Sequence, residues 1–455
     1  MSEPKQLLLN LFEMGAPGHI THGMWRQEGN QRQRYADLSY WTELAQLLEH
    51  GGFDAVFLAD VLGGYDVHTG SLAPALRMGL QIPQVDPSVL VPAMAVVTDH
   101  LGFGLTASTT YEPPFSFARR ISSLDLLTRG RVAWNVVTSY LPGAARNFGL
   151  ADQIDHDTRY AIAEEFLQVT YALWEGSWDD DAVLADAEAG VYTRPDGVRP
   201  IDHVGQHFRV AGPHLVEPTP QRTPLLYQAT ASSAGIALAG RHAEVVFTGG
   251  PNPGVVRRTA EGARAAAERE GRRREDVRFV VQAAIITGRN DDQVAEKLAR
   301  YRATTDPQGK FVHMSVPFDA PSHPVDRTVR EALLAEGRDD LVAAGGLPMD
   351  ITVGQLATGI DEAWQQHFFV AGTPDVVADE VERWLDEEGI DGINLRQYHS
   401  TETARDFVEL VAPELRRRGR LREEYEPGQT LRERTTGGGP RLPDTHPAAR
   451  YRSGR

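Results

Sequence analysis

The 455-residue chain contains no cysteine. That excludes disulfides, zinc–thiolate sites, iron–sulfur clusters and any thiol nucleophile. Positive charge is also scarce, with 46 Lys and Arg against 63 Asp and Glu and a formal charge of −17. Nucleic acid and anionic membrane call for clustered Lys and Arg, so the expected partner is a small molecule. No run of 18 uncharged apolar residues occurs, which predicts no membrane-spanning helix. The opening segment, MSEPKQLLLNLFEMGAPGH, has one short apolar run, with no basic stretch before it and no small-residue cleavage motif after it. The expectation is a cytoplasmic enzyme.

What is present alternates. Eight short runs rich in Val, Ile, Leu and Phe occupy residues 7–14, 55–60, 101–109, 131–139, 224–229, 244–249, 277–288 and 391–397. Helical periodicity follows at 39–50, 87–100, 113–128, 156–175, 232–242, 252–270, 373–388 and 403–418, with Asp86-Pro87, Thr373-Pro374 and Thr403 as start signals. Alternation of this kind implies a parallel sheet, and eight strand–helix pairs predict an α/β fold closed as a (β/α)8 TIM barrel. No GxGxxG follows any of the runs, which disfavours an open dinucleotide-binding sheet. Length alone suggests about three domains. The pattern predicts one barrel over 1–419, with insertions at 177–222 and 306–372 after strands 4 and 7. Residues 420–455, with eight arginines against five acids, read as an arm packed on the barrel or on a neighbouring subunit.

Chemistry in such a barrel sits at the C-terminal strand ends, here Glu13, Asp60, Ser108, Asn135, Thr138, Gln228, Thr248, Asn394 and Gln397. Glu13 and Asp60 are the one obvious carboxylate pair, and nothing near them suggests a glycosidase. His19 and His22 lie close together, but no HxH stands on a strand and no HExxH on a helix, so no metal is expected. QATASSAGIALAG places a turn and a helix start near Ser232. Two readings stay open there: plain serine caps, or a phosphate held by free backbone N–H groups.

Several segments carry a resemblance: FDAVFLADVLGGYDVH (53–68), TASTTYEPPFSFARRISSLDLLTRGRVAWNVVTS (106–139), ARNFGL (145–150), HDTRYAIAEEFLQVTYALWEGSW (156–178), PHLVEPTPQRTPLLYQA (213–229), INLRQY (393–398) and FVELVAPELRRRG (407–419). The chain resembles the bacterial luciferase-like flavin monooxygenases, in the branch of the nitrilotriacetate, dibenzothiophene-sulfone and long-chain alkane enzymes. The resemblance implies a luciferase-like barrel, usually a homodimer or homotetramer, that takes FMN as FMNH2 from a separate NAD(P)H:flavin reductase. With O2 as co-substrate, and by way of a C4a-peroxyflavin, it would oxygenate a small organic molecule by hydroxylation, N-oxidation or oxidative C–N or C–S cleavage. Carried over by position, Asp60, Thr106, Ser108, Asn135 and Thr138 would line the ring. His156 and Tyr160 would reach the ribityl and phosphate end, and Ala231 and Ser232 would hold the phosphate. His19, Tyr65, Gln81, Tyr140 and His313 would stand on the reacting side, and the 306–372 insertion would act as a lid that keeps out water.

Two positions depart from the branch: Tyr140 stands where the alkane-type pattern has His, and Ala16 lies in a loop that can carry Cys. Substrate identity is therefore not carried over. The competing readings are an F420-dependent oxidoreductase on the same fold, a non-catalytic flavin-binding protein and, remotely, a metal-dependent barrel hydrolase.

Overall fold

Each of the eight apolar runs becomes a parallel strand in the computed structural model, which describes residues 5–229, 232–249, 253–306, 308–344, 347–365 and 368–452. The strands are β1 Leu8–Met14, β2 Ala55–Ala59, β3 Gly102–Ser108, β4 Val132–Val137, β5 Leu225–Ala229, β6 Val245–Thr248, β7 Arg278–Thr287, β8 Phe368–Gly372 and β9 Gly392–Arg396. β1 through β7 pair in chain order, β7 pairs β9, and β9 returns to β1. The sheet is thus a closed barrel of eight strands, buried on both faces, and this is why the strands read as apolar runs rather than as alternations. Phe57, Tyr227 and Phe247 fill the lumen. Gly104 makes room for them, since a Cβ there would lie 2.9 Å from the Tyr227 ring.

β8 was not among the eight runs. β7 is long enough to serve two partners: Val280–Ala284 pair with β9, and Ala283–Thr287 continue past the barrel to pair with β8. The expected 306–372 loop therefore ends in a ninth, appended strand.

The helices follow their caps. They are α1 Leu38–His50, α2 Pro114–Leu127, α3 His156–Tyr171, α4 Ser233–His242, α5 Pro253–Arg269, α6 Asp291–Thr304 and α7 Pro374–Glu387. Asp37, Asp155, Ser232 and Asn290 accept backbone N–H bonds at the starts of α1, α3, α4 and α6. α6 had no counterpart in the expected pattern. The helix expected over 87–100 is shorter: Asp86 does cap, but it opens a single 3-10 turn, Pro87–Val89, followed by Val91–Ala95. Pro92 lacks the N–H that a continuous helix would use. At the last helix Thr401, not Thr403, stands at the start, and Thr403 Oγ1 instead accepts from the His399 backbone N–H at 3.1 Å.

The insertions are built rather than loose. Two short hairpins, Val183–Asp186 with Val191–Thr193 and His203–Val204 with Arg209–Val210, lie in the 177–222 stretch. Residues 308–344 and 347–357 include helices around a core of their own, with Phe311, Phe318, Val329, Leu333 and Val353. In the arm, Leu431 joins the lumen cluster from the N-terminal end of the barrel. Arg432 is buried and forms a two-pronged pair with Glu244, and Arg422 and Arg434 both reach Asp54. Among the described residues no helix is long and apolar enough to cross a membrane.

Candidate functional site

Strand ends and the loops after them enclose a cavity of about 350 Å3. Asp60 after β2, Val137 to Leu141 after β4, Gln228 and Ala229 on β5, and His156, Arg159 and Tyr160 on α3 line it. Of the residues expected to hold a cofactor, Asp60, Thr138, His156 and Tyr160 line this space directly. Thr106, Ser108 and Asn135 lie beside it on β3 and β4, paired in register as Thr106 with Asn135. Asn135 donates its Nδ2–H to Thr106 Oγ1 at 3.0 Å, and Ser139 Oγ bonds Ser108 Oγ at 2.9 Å. Tyr160 OH stands 3.4 Å from Ser232 Oγ, and the His156 and Tyr160 rings lie 4.8 Å apart. The helix start at Ser232 and the first turns of α3 thus converge. Ala231 lies outside the described residues.

Burial pushes the Asp60 carboxyl up to about 7, with Asp86 adding like-charge repulsion. Glu13, the other strand-end carboxylate, is committed elsewhere. It is fully buried, pairs with the Arg32 guanidinium, and accepts from Gln397 Nε2 at 2.6 Å and Tyr40 OH at 3.3 Å. Gln228 is likewise occupied, donating to the Gly235 carbonyl at 3.0 Å.

The five residues expected on the reacting side form one cluster next to the cavity. Tyr140, a lining residue, hydrogen-bonds Tyr65 between hydroxyls at 2.5 Å. The Tyr65 ring packs 5.2 Å from that of His313, and His313 in turn lies 5.4 Å from both His19 and His22. The Gln81 amide stands beside the Tyr65 hydroxyl, close enough to affect its ionisation but out of hydrogen-bond geometry. Burial, with Arg396 nearby, lowers the pKa of all three imidazoles, that of His313 to about 4. They are neutral at pH 7. His22 Nε2 and His313 Nδ1 stand 3.2 Å apart, so one of the two rings donates to the other. Gly309 permits this approach, because a Cβ there would meet His22 at 2.3 Å. Among the described residues no three His, Asp or Glu are grouped to hold a metal ion.

Two of these side chains, Arg159 and Arg396, were not singled out from the sequence, and His22 was weighed only as a metal ligand. Arg159 lines the cavity and bonds Thr138 Oγ1 at 3.4 Å and the Ser139 carbonyl. Its signal was present, since it lies between His156 and Tyr160 in HDTRY. Arg396 had none, being brought in by β9.

The family model described as Luciferase-like monooxygenase matches residues 19–392. The chain belongs to this family. It is 46% identical to the long-chain alkane monooxygenase of Geobacillus thermodenitrificans strain NG80-2, over 99% of this chain and 98% of that one. It is 40% identical to the dimethyl-sulfide monooxygenase of Hyphomicrobium sulfonivorans, over 98% and 94%. Among solved structures, a long-chain alkane monooxygenase superposes with a TM-score of 0.90 at 44% identity, covering 99% of this chain and 100% of the other. A riboflavin lyase, solved with modified FMN and riboflavin, superposes at 0.87 and 32% identity with the same coverage. This luciferase-like chain is therefore an enzyme of a monooxygenase family, matched from the first of its clustered histidines to the start of β9.

Proposed function

We propose that the chain is the oxygenase component of a two-component system, which takes FMNH2 from a separate NAD(P)H:flavin reductase and uses O2 to oxygenate a small organic molecule. One observation carries the reading: a cavity at the C-terminal end of the barrel is lined by hydrogen-bonding groups short of strong bases, with a capped helix start at one end and a neutral histidine–tyrosine cluster at the other. The residues fit FMN. Asn135 Oδ1 is buried with no hydrogen-bond partner among the described residues, as an acceptor facing a ring N–H would be. The ten-residue α4 directs its positive end, capped by Ser232, toward the Tyr160 hydroxyl, which suits a phosphate.

Bound as FMNH2, the cofactor would supply the electrons and activate O2. The chain's own work is then to bind, orient and keep dry. Asn135, Thr106 and Thr138 would orient the ring, and Tyr160, Ser232 and His156 the tail. Arg159, held by the Ile154 and Ser139 carbonyls, places a fixed positive charge at the cavity wall. The 308–357 insertion keeps bulk water from the histidine side, tied down by His22 to His313 and by His68 Nδ1 to the Val316 carbonyl at 2.8 Å. Asp60, with its pKa near 7, can hold or release a proton at the cavity edge. The neutral His19 imidazole and the raised Tyr65 and Tyr140 phenols offer hydrogen bonds without titrating at neutral pH.

The test is to mix the protein anaerobically with FMNH2, admit air and record spectra. The expected result is tight FMNH2 binding, then a transient absorbance between those of reduced and oxidised FMN that outlasts protein-free oxidation. FMNH2 that oxidises at the protein-free rate, with hydride transfer to or from F420 instead, would overturn the proposal. So would stable binding of oxidised FMN with no oxygen consumed, or activity abolished by chelation.

A further inference from the structure

We infer that Tyr140, latched to Tyr65, sets an upper limit on substrate length, so that the site takes molecules of only a few heavy atoms. This rests on the reading of the cavity as the oxygenase site.

The space is small to begin with. About 350 Å3 is near the lower end of ordinary small-molecule sites, roughly 300–1,000 Å3, and this volume has to hold a flavin ring as well. Tyr140 lines the cavity on the side of the histidine cluster, to which it is joined through Tyr65. It keeps 56% of its surface free and bonds through its hydroxyl to Tyr65, which is 1% exposed. Tyr65 is immobile, packed against His313 and among Ala75, Met78, Leu80, Leu141, Ala144 and Val312. A half-exposed ring is thus held by a short bond to a buried, close-packed one. Burial raises the pKa of both phenols, so the latch is a neutral hydroxyl pair at neutral pH.

Beyond the latch the wall is apolar on one side, through the Met78, Leu80 and Val312 group, and neutral polar on the other, through Gln81 and the imidazoles. A short molecule fits such a junction. A long chain would have to break the hydroxyl pair and swing Tyr140 outward.

The experiment measures equilibrium binding of n-alkyl methyl sulfides, from methyl to octyl, to the full-length protein loaded with oxidised FMN and, separately, without flavin. Wild type, Tyr140→Phe and Tyr140→Ala are compared. Wild type is expected to bind the methyl and ethyl members and to lose affinity sharply at longer ones. Tyr140→Ala should raise the octyl-to-methyl affinity ratio by about tenfold or more, the scale on which hydrophobic pockets discriminate single methylenes. Tyr140→Phe keeps the ring and loses the latch, so its ratio should lie between the two. A wild type that binds the octyl member as well as the methyl member, or binds no member, overturns the inference. So does a ratio unchanged in Tyr140→Ala of wild-type melting temperature; if that variant melts early, Tyr140→Phe decides in the same way. FMN affinity is read in the same titrations. Its loss would sink the proposed function while leaving the length profile of the flavin-free protein legible.

Discussion

Asp60 and Glu13 are both strand-end carboxylates, yet their surroundings give them opposite characters. Glu13 is met by a guanidinium, an amide N–H and a phenol, whereas Asp60 is buried with another acid nearby. For Asp60 the sign is definite. Its folded pKa, about 7, lies above the ordinary value near 3.9, so its contribution to stability is full below about pH 4 and is lost as pH rises through 7. Asp60→Asn should therefore flatten the pH profile of the urea midpoint between pH 5 and 8, and be the more stable protein at pH 8. A variant whose profile tracks the wild type would show that Asp60 keeps an ordinary pKa. Arg32→Met leaves Glu13 buried without its cation and should cost about 3–5 kcal/mol by urea titration. A cost below 1 kcal/mol would show that Gln397 and Tyr40 suffice.

At the scale of the element, the start of α4 kept two readings in the sequence, cap or phosphate cradle. Ser232 Oγ does accept from the Gly235 N–H at 3.1 Å, and it also stands near Tyr160, so the structure leaves room for both. Substitution separates them. Ser232→Asp keeps the cap, because Asp ranks with Ser there, and stability should stay within about 0.5 kcal/mol of wild type. If the phosphate sits there, the new charge should raise the FMN Kd by about tenfold or more, since like charges a few ångströms apart cost over 1 kcal/mol outside bulk water. Unchanged FMN affinity in Ser232→Asp would leave Ser232 as a cap alone. The elements that differ from expectation do so for two reasons. β8 is short and becomes a strand only because β7 overruns the barrel, and the 87–100 periodicity breaks at Pro92, a local veto that pattern counting overlooked.

Across the whole molecule, the acidic body and arginine-rich arm resolve into specific pairs. Arg432 with Glu244, Arg422 and Arg434 with Asp54, and Arg441 with Asp180 fasten residues 420–452 to the barrel, with Leu431 at the foot of the lumen. We propose that the arm is a structural part of the barrel rather than an independent domain. Arg432→Met, which strands Glu244 among buried groups, should destabilise the protein by about 3–5 kcal/mol. A truncation after Gly419 should unfold several degrees lower and expose the lumen end to hydrophobic dyes. A truncated chain as stable as the full one would make the arm dispensable.

How much of this was legible follows from range. Barrel strands, most helix starts and the polar strand ends are local: an apolar run of five to ten residues, or an Asp or Ser before a helix, carries its own signal, and residues 7–14 or 156–175 could be placed without any partner in view. The sequence by itself therefore determined the closed α/β barrel and the strand-end residues Asp60 and Thr138, and, through resemblance, the family with His156 and Tyr160. Tertiary structure alone decided which polar groups are spent and which are available. That Glu13 is consumed by Arg32, that His22 and His313 hydrogen-bond, that Arg159 braces Thr138 and that Tyr140 is latched to Tyr65 depend on contacts between residues 19 to 291 positions apart. Side-chain pairing across such distances leaves no period or spacing in the chain, because only the closure of the barrel brings those residues within hydrogen-bond reach.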